Sequence, residues 1–239
     1  MMRFLLLLLS LNILADNEIF INQSGNGATI KLEQLGSGNL IGGTSATSGT
    51  MTALDLDGID MTLTINQIGS SNIFRSDAID SDYLTASFDF DGDSNVYDMI
   101  LNSSGAYSAD YANLNIDVTG SSNTFDVNIA ENSNADYLDL DWIVDGDSNA
   151  FDYDIDYENA TNYVDIFGDS NDLTFDGSGY AGTTSSDSGY FYLDLTGSNN
   201  TLNITQSSTL ARDWLKIESN TSNSTICIVQ NDGGTSTSC

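Results

Sequence analysis

Aspartate is the residue type in this chain best placed to do chemistry. The 239 residues hold 35 acidic side chains against 5 basic ones and no histidine, a net charge of −30. Many of the aspartates keep fixed distances from a recurring Gly-x-x-Asn tetrapeptide. Three positions after its Asn come Arg75, Asp98, Asp126 and Asp152, and five after it Asp77, Asp154 and Asp176. Three before the Gly come Asp89, Asp117, Asp165 and Asp194, and directly after the Gly stand Asp147 and Asp169. If the copies stack, equivalent carboxylates lie ~4.8 Å apart and each pair repels by about 1 kcal/mol in water. Salt or a divalent cation would relieve that repulsion. Calcium accepts many oxygen ligands in irregular geometry, and Asp98, Asp126, Asp152 and Asp154 form the candidate face for it. The alternative is a solvated acidic coat that keeps the molecule soluble. Asp55-Leu-Asp57-Gly58 and Asp89-Phe-Asp91-Gly92 place glycine too early for an EF-hand loop.

Paired carboxylates also suit glycoside hydrolysis, with one acid and one base or nucleophile. Nothing distinguishes one pair from another here, so a polysaccharide-active enzyme is the weaker reading and no residue is assigned a catalytic role. Cys227 and Cys239 are a candidate disulfide closing a short C-terminal loop. Without histidine to activate a thiol, they do not read as a catalytic site. The scarcity of Lys and Arg excludes ordinary affinity for a nucleic-acid backbone and disfavours anionic membrane surfaces.

The elements that must position these groups follow from the tetrapeptide. It occurs with its Gly and Asn at Gly36 and Asn39, Gly69 and Asn72, Gly92 and Asn95, Gly120 and Asn123, Gly146 and Asn149, Gly168 and Asn171, and Gly197 and Asn200. Two residues after each Asn sits a large apolar group: Ile41, Phe74, Tyr97, Phe125, Phe151, Leu173 and Leu202. Four before each Gly stand Leu32, Ile65, Phe88, Ile116, Trp142, Val164 and Leu193. This period-two alternation predicts a strand on either side of a corner, with one face of each buried. Glycine permits a sharp bend, and the stacked asparagines would bond one another as a ladder. Gly43 and Ser76 break the alternation. A shifted last copy is expected at Ser219–Asn223, followed by Ile226 and Ile228. The longer intervals carry extra residues at 44–50, 102–110 and 177–189, all on the turn opposite the corner, as a solenoid tolerates. The expected fold is all-β: a single β-solenoid of about eight coils, roughly 40 Å long at ~4.8 Å per coil. The absence of proline fits a backbone whose donors are all needed in ladders.

The early copies carry more. Gln-x-Gly recurs at Gln23, Gln34 and Gln67, and at Gln34 it reads in full as Gln-x-Gly-x-Gly-Asn. Over residues 17–40 and around Gln67 the chain resembles the repeat of curlins, the secreted subunits of bacterial curli fibres. That resemblance implies inward Gln and Asn ladders, strand–turn–strand coils and fibre growth by end-to-end self-association. From Gly92 onward Phe90, Val118, Val144, Ile166 and Leu195 replace the glutamine and the second glycine is lost.

Residues 1–15 read as a signal peptide, with Arg3 ahead of the apolar run Phe4 to Leu9, and no later segment reads as membrane-inserting. The expected organisation is therefore 1–15 signal peptide and 16–239 solenoid. The solenoid divides into a curlin-like part at 16–72, acidic coils at 73–218 and a capping coil at 219–239. The leading functional expectation is an exported, non-enzymatic, extracellular or cell-surface fibre subunit. The runner-up is a monomeric, calcium-stabilised adhesin or virion appendage component that meets a surface glycan or cell-surface partner.

Overall fold

The computed structural model describes residues 18–42, 54–101, 109–130, 135–179, 188–207 and 212–231. The residues at 44–50, the greater part of 102–110 and 177–189, the segment 1–15 and Cys239 lie outside them. Every regular element among the described residues is a β-strand, and every strand pairing is parallel.

After β1 (Glu18–Ile19) and β2 (Asn22–Ser24), the strands form two series, one on each side of the corner. Leading into it are β3 (Thr29–Leu35), β6 (Thr62–Ile68), β8 (Thr85–Asp91), β10 (Asn113–Thr119), β12 (Ala135–Asp145), the second half of β13 (Ala150–Phe167), β15 (Ser188–Ser198) and β17 (Arg212–Ser222). Leading away are β4 (Leu40–Ile41), β7 (Ile73–Asp82), β9 (Val96–Leu101), β11 (Thr124–Ile129), the first half of β13, β14 (Asp172–Gly179), β16 (Thr201–Ser207) and β18 (Thr225–Asn231). A further strand, β5 (Leu54–Ile59), pairs β2 with the end of β7. Each series is a parallel ladder, and together they form a β-solenoid of about seven turns.

The register explains the core. Ile65, Phe88, Ile116, Trp142, Val164 and Leu193 stack in one row, and Phe74, Tyr97, Phe125, Phe151, Leu173 and Leu202 in the facing one. All of these side chains are buried. Burying each large apolar side chain is worth about 1.5–3 kcal/mol, so in-register stacking turns a period-two sequence into a continuous core. Phe125 lies parallel to Tyr97 and Phe151 with ring centroids 4.7 and 5.0 Å apart, and Trp142 meets Phe125 edge-on at 5.4 Å.

Two readings need correction. Ser76 is not an exception to the inward pattern: it is buried where β7 and β9 lose register, and its hydroxyl accepts the Ile100 N–H at 2.7 Å. The last corner is Thr221-Ser222-Asn223-Ser224, not Ser219–Asn223, because Gly197 pairs with Thr221 and Thr201 with Thr225.

Candidate functional site

The corner carries a hydrogen-bond ladder that runs from coil to coil. Asn39 N–H donates to Asn72 Oδ1 at 3.0 Å, and the same bond recurs from Asn72 to Asn95, Asn95 to Asn123, Asn123 to Asn149, Asn149 to Asn171 and Asn171 to Asn200. Ser224 Oγ closes the series by accepting from Asn200 N–H at 3.1 Å. The amide nitrogens of Asn149, Asn171 and Asn200 donate to the carbonyls of Gly120, Gly146 and Gly168, one coil back. The asparagines are buried, so the amide oxygens of Asn72, Asn95, Asn123, Asn149, Asn171 and Asn200 satisfy backbone N–H groups that water cannot reach.

An outer ladder runs the other way. Asp93 Oδ1 accepts from Ser121 N–H, Asp147 Oδ1 from Asp169 N–H and Asp169 Oδ1 from Ser198 N–H, at 2.6–2.7 Å. The corner aspartates are thus receptors for the next coil's backbone as well as a surface charge.

Glycine is required at the corner for a reason beyond its conformational freedom. A Cβ on Gly146 would lie 1.9 Å from the Gly120 carbonyl oxygen, although Gly146 does not have a left-handed φ. The other corner glycines do have a positive φ, 126–145°, and a second left-handed residue stands just before each Asn. It is Gly38 in the first coil and Ser71, Ser94, Ser122, Ser148 and Ser170 in later ones. The second glycine of the early repeat is therefore replaced by serine in the same strained conformation.

The glutamines divide. Gln34 and Gln67 are buried and bonded, with Gln67 Nε2 donating to Gln34 Oε1 at 2.9 Å. Gln23 lies elsewhere: it pairs with Leu56 on a different strand of the coil and does not join that ladder. A second glutamine ladder, unread in the sequence, ties Gln230 Nε2 to Gln206 Oε1 at 3.2 Å. Its signal was the position of both residues in their coils, since Gln206 and Gln230 are register partners on β16 and β18.

The candidate metal residues share the outward face of the sheet that leads away from the corner. Arg75, Asp98, Asp126 and Asp152 form one row, and Asn128, Asp154 and Asp176 the next. Arg75 Nε meets Asp98 Oδ2 at 3.3 Å. Asp154, Asp156 and Asp176 line a shallow hollow with Asn128 and Ser178. Desolvation, then repulsion from neighbouring carboxylates, raises Asp154, Asp156 and Asp176 above the ordinary carboxylate range. Asp98 is raised by desolvation and by Asp126, against the opposing pull of Arg75. Among the described residues no group of three or more such side chains gathers at one point; the stack spreads them along its axis. The side chain of Asp77 lies outside the described residues. Cys227 faces outward on β18 and is disulfide-bonded.

The opposite edge carries a third feature. Asp110 N–H donates to Asp82 Oδ1 and Asp136 N–H to Asp110 Oδ1, a side-chain ladder like the outer one at the corner. The residue after each aspartate is a left-handed tyrosine, Tyr83, Tyr111 or Tyr137. These rings are exposed and stack with centroids 4.9 Å apart. No protein-family model, curated protein or solved structure matches the chain.

The aromatic groups extend from this edge onto the sheet that leads into the corner. Tyr163 stacks on Tyr192 at 4.8 Å, and Tyr190 on Trp214 at 5.7 Å. The repeated Asp-Tyr pair was the available signal for the edge, since Asp82-Tyr83, Asp110-Tyr111 and Asp136-Tyr137 recur coil by coil.

Proposed function

We propose that the chain is a secreted, non-enzymatic structural or adhesive protein, a curlin-like surface fibre subunit that extends by pairing the end coil of one copy with the end coil of the next. The observation that supports this most is the difference between the coil ends and the interior. Residues 76–211 contain no Lys or Arg, whereas the first coil carries Lys31 with Glu33 and the last carries Arg212 and Lys216 with Asp213 and Glu218. The repulsive charge is thus concentrated in the middle of the rod. At the C-terminal end the core-row residues Ile226 and Ile228 are 39% and 44% exposed, where their equivalents Leu202 and Ile204 are buried. An open strand edge backed by apolar side chains is a template for another chain.

Electron microscopy of the mature protein across a concentration series tests this reading. Rods much longer than the ~40 Å of one solenoid are expected, and Ile226→Asp with Ile228→Asp should shorten them to single units. Single short rods at every concentration would overturn the proposal.

A further inference from the structure

A hollow of about 480 Å³ opens on the aromatic side of the solenoid, where the ring stacks are interrupted. Tyr137, Tyr163 and Tyr190 wall it, and Asp139 and Thr161 contribute to its floor. Each wall ring already has one face against a ring of an adjacent coil: Tyr137 on Tyr111, Tyr163 on Tyr192 and Tyr190 on Trp214. The stacks do not join, because the coil after Tyr137 presents Asn159, Ala160 and Thr161. Short side chains there leave room between aromatic walls. Tyr163 is the register partner of Asp141, and Asp139 that of Thr161, so two carboxylates stand one coil from the rings.

These carboxylates form no ion pair among the described residues. Among the described residues the ion pairs are Arg75 with Asp98 and Lys216 with Glu218. No Lys or Arg lines the hollow, and Asp139 receives only a long 3.5 Å contact from the Asn113 amide. Ring faces are the negative pole of an aromatic quadrupole and attract cations, above all alkylated ammonium groups. A net charge of −30 raises the local concentration of any cation. A bare metal ion needs converging oxygen ligands at short distance, and this wide, aromatic-walled space does not supply them.

We propose that the hollow walled by Tyr137, Tyr163 and Tyr190, with Asp139 and Asp141 beside it, binds an organic ammonium group. The group is either a free amine or a lysine side chain of a partner. The ammonium rests on the tyrosine faces while the carboxylates neutralise it.

The test is titration of the full-length protein with tetramethylammonium, spermidine, a blocked lysine amide and methyl glucoside, read by tyrosine fluorescence and calorimetry at physiological ionic strength. Saturable binding of at least one amine is expected. Tyr190→Leu should weaken it about two- to fivefold, the scale of an exposed cation–π contact, and Tyr190→Phe should retain it. Asp139→Asn should weaken it similarly, whereas Asp126→Asn, which removes the same charge from the other sheet, should not. Circular dichroism of each variant separates lost binding from lost fold. Binding of tetramethylammonium but not the lysine amide assigns a free quaternary amine, and the reverse assigns a partner's lysine. Equal weakening by Asp126→Asn would reduce the effect to diffuse counterion attraction and overturn the proposal. Tyr190-dependent binding of the glucoside alone, or no binding at all, would overturn it too.

Discussion

Two buried tyrosines give a hydroxyl opposite meanings in this core. Tyr153 donates to Asn162 Oδ1 at 2.6 Å, and Asn162 in turn donates to the Tyr190 carbonyl at 3.3 Å. Removing that hydroxyl leaves a buried amide oxygen without its donor, which costs about 1–3 kcal/mol. The Tyr97 hydroxyl, also buried, lies beside the Asn95 side chain without a well-formed hydrogen bond, so its removal deletes a poorly satisfied group. Tyr153→Phe should therefore lower the melting temperature clearly, while Tyr97→Phe should leave it unchanged or raise it. Equal losses in the two variants would show that ring packing, not hydroxyl pairing, sets both values. At the corner, Ser148 is held at φ 59°, a left-handed conformation that costs a non-glycine residue about 1–2 kcal/mol. Glycine removes that strain but adds about 0.5–1 kcal/mol of chain entropy. Ser148→Gly should accordingly stabilise by a few tenths to about 1 kcal/mol, measured by chemical denaturation.

At the scale of the sheet, like charges are stacked instead of paired, and this makes the response to pH unusual. Asp98, Asp154, Asp156 and Asp176, together with Asp89 and Asp165 on the other sheet, are all raised above the ordinary carboxylate value of 3.8 by desolvation and by neighbouring carboxylates. The folded state therefore holds protons more tightly than the unfolded state over the window just above that value. The linkage slope is then negative: stability rises as pH falls from neutrality through the raised values, and the gain is complete below the unfolded value. The melting temperature should climb between pH 7 and about pH 4.5, a range set by this shift from the usual carboxylate region. A monotonic fall over that range would refute the charge stack as a source of instability. Sodium chloride should raise it at neutral pH for the same reason. If the row of Asp98, Asp126 and Asp152 binds calcium with Asp154 from the next row, calcium should stabilise more than sodium chloride at equal ionic strength, whereas equal effects would assign this face the role of a solvated coat. These rows were legible in the sequence because strand periodicity and the corner together fix a register. The Asp-Tyr edge keeps the same count, with Tyr83, Tyr111 and Tyr137 each nine residues before Gly92, Gly120 and Gly146, but it lies beyond the strand alternation that marks the core, so the pattern alone gave it no role. Gln206 and Gln230 carry no signal from the early repeat, since they follow the corner whereas Gln34 and Gln67 precede its glycine. The displaced last corner shows the same limit: once both glycine and asparagine are substituted, only pairing with the preceding coil sets the register.

For the whole molecule, the ends decide how copies could join, and their charges favour one geometry. Lys31 heads a row that runs through Thr64, Ser87, Asn115, Asp141, Tyr163 and Tyr192 to Lys216. Glu33 heads the adjacent outward row, which ends at Glu218. A second copy added head to tail in this register would set its Lys31 against Lys216 and its Glu33 against Glu218. Like charges directly across a strand pair are unfavourable, and opposite charges contribute roughly 0.2–1 kcal/mol. Two C-terminal ends meeting antiparallel about Ile217 would instead place Lys216 of each copy opposite Glu218 of the other. Exchanging the two charges with Lys216→Glu and Glu218→Lys separates the geometries. It converts both head-to-tail contacts to attractive pairs, yet leaves the antiparallel contact attractive as before. If rods grow head to tail in register, the exchanged protein should assemble at lower concentration and into longer rods than the parent, by sedimentation and electron microscopy. Unchanged assembly, with rods limited to paired units, would identify the symmetric junction. In that case continued growth would depend on a matching antiparallel contact at the other end, where Lys31 and Glu33 flank Leu32 in the same arrangement.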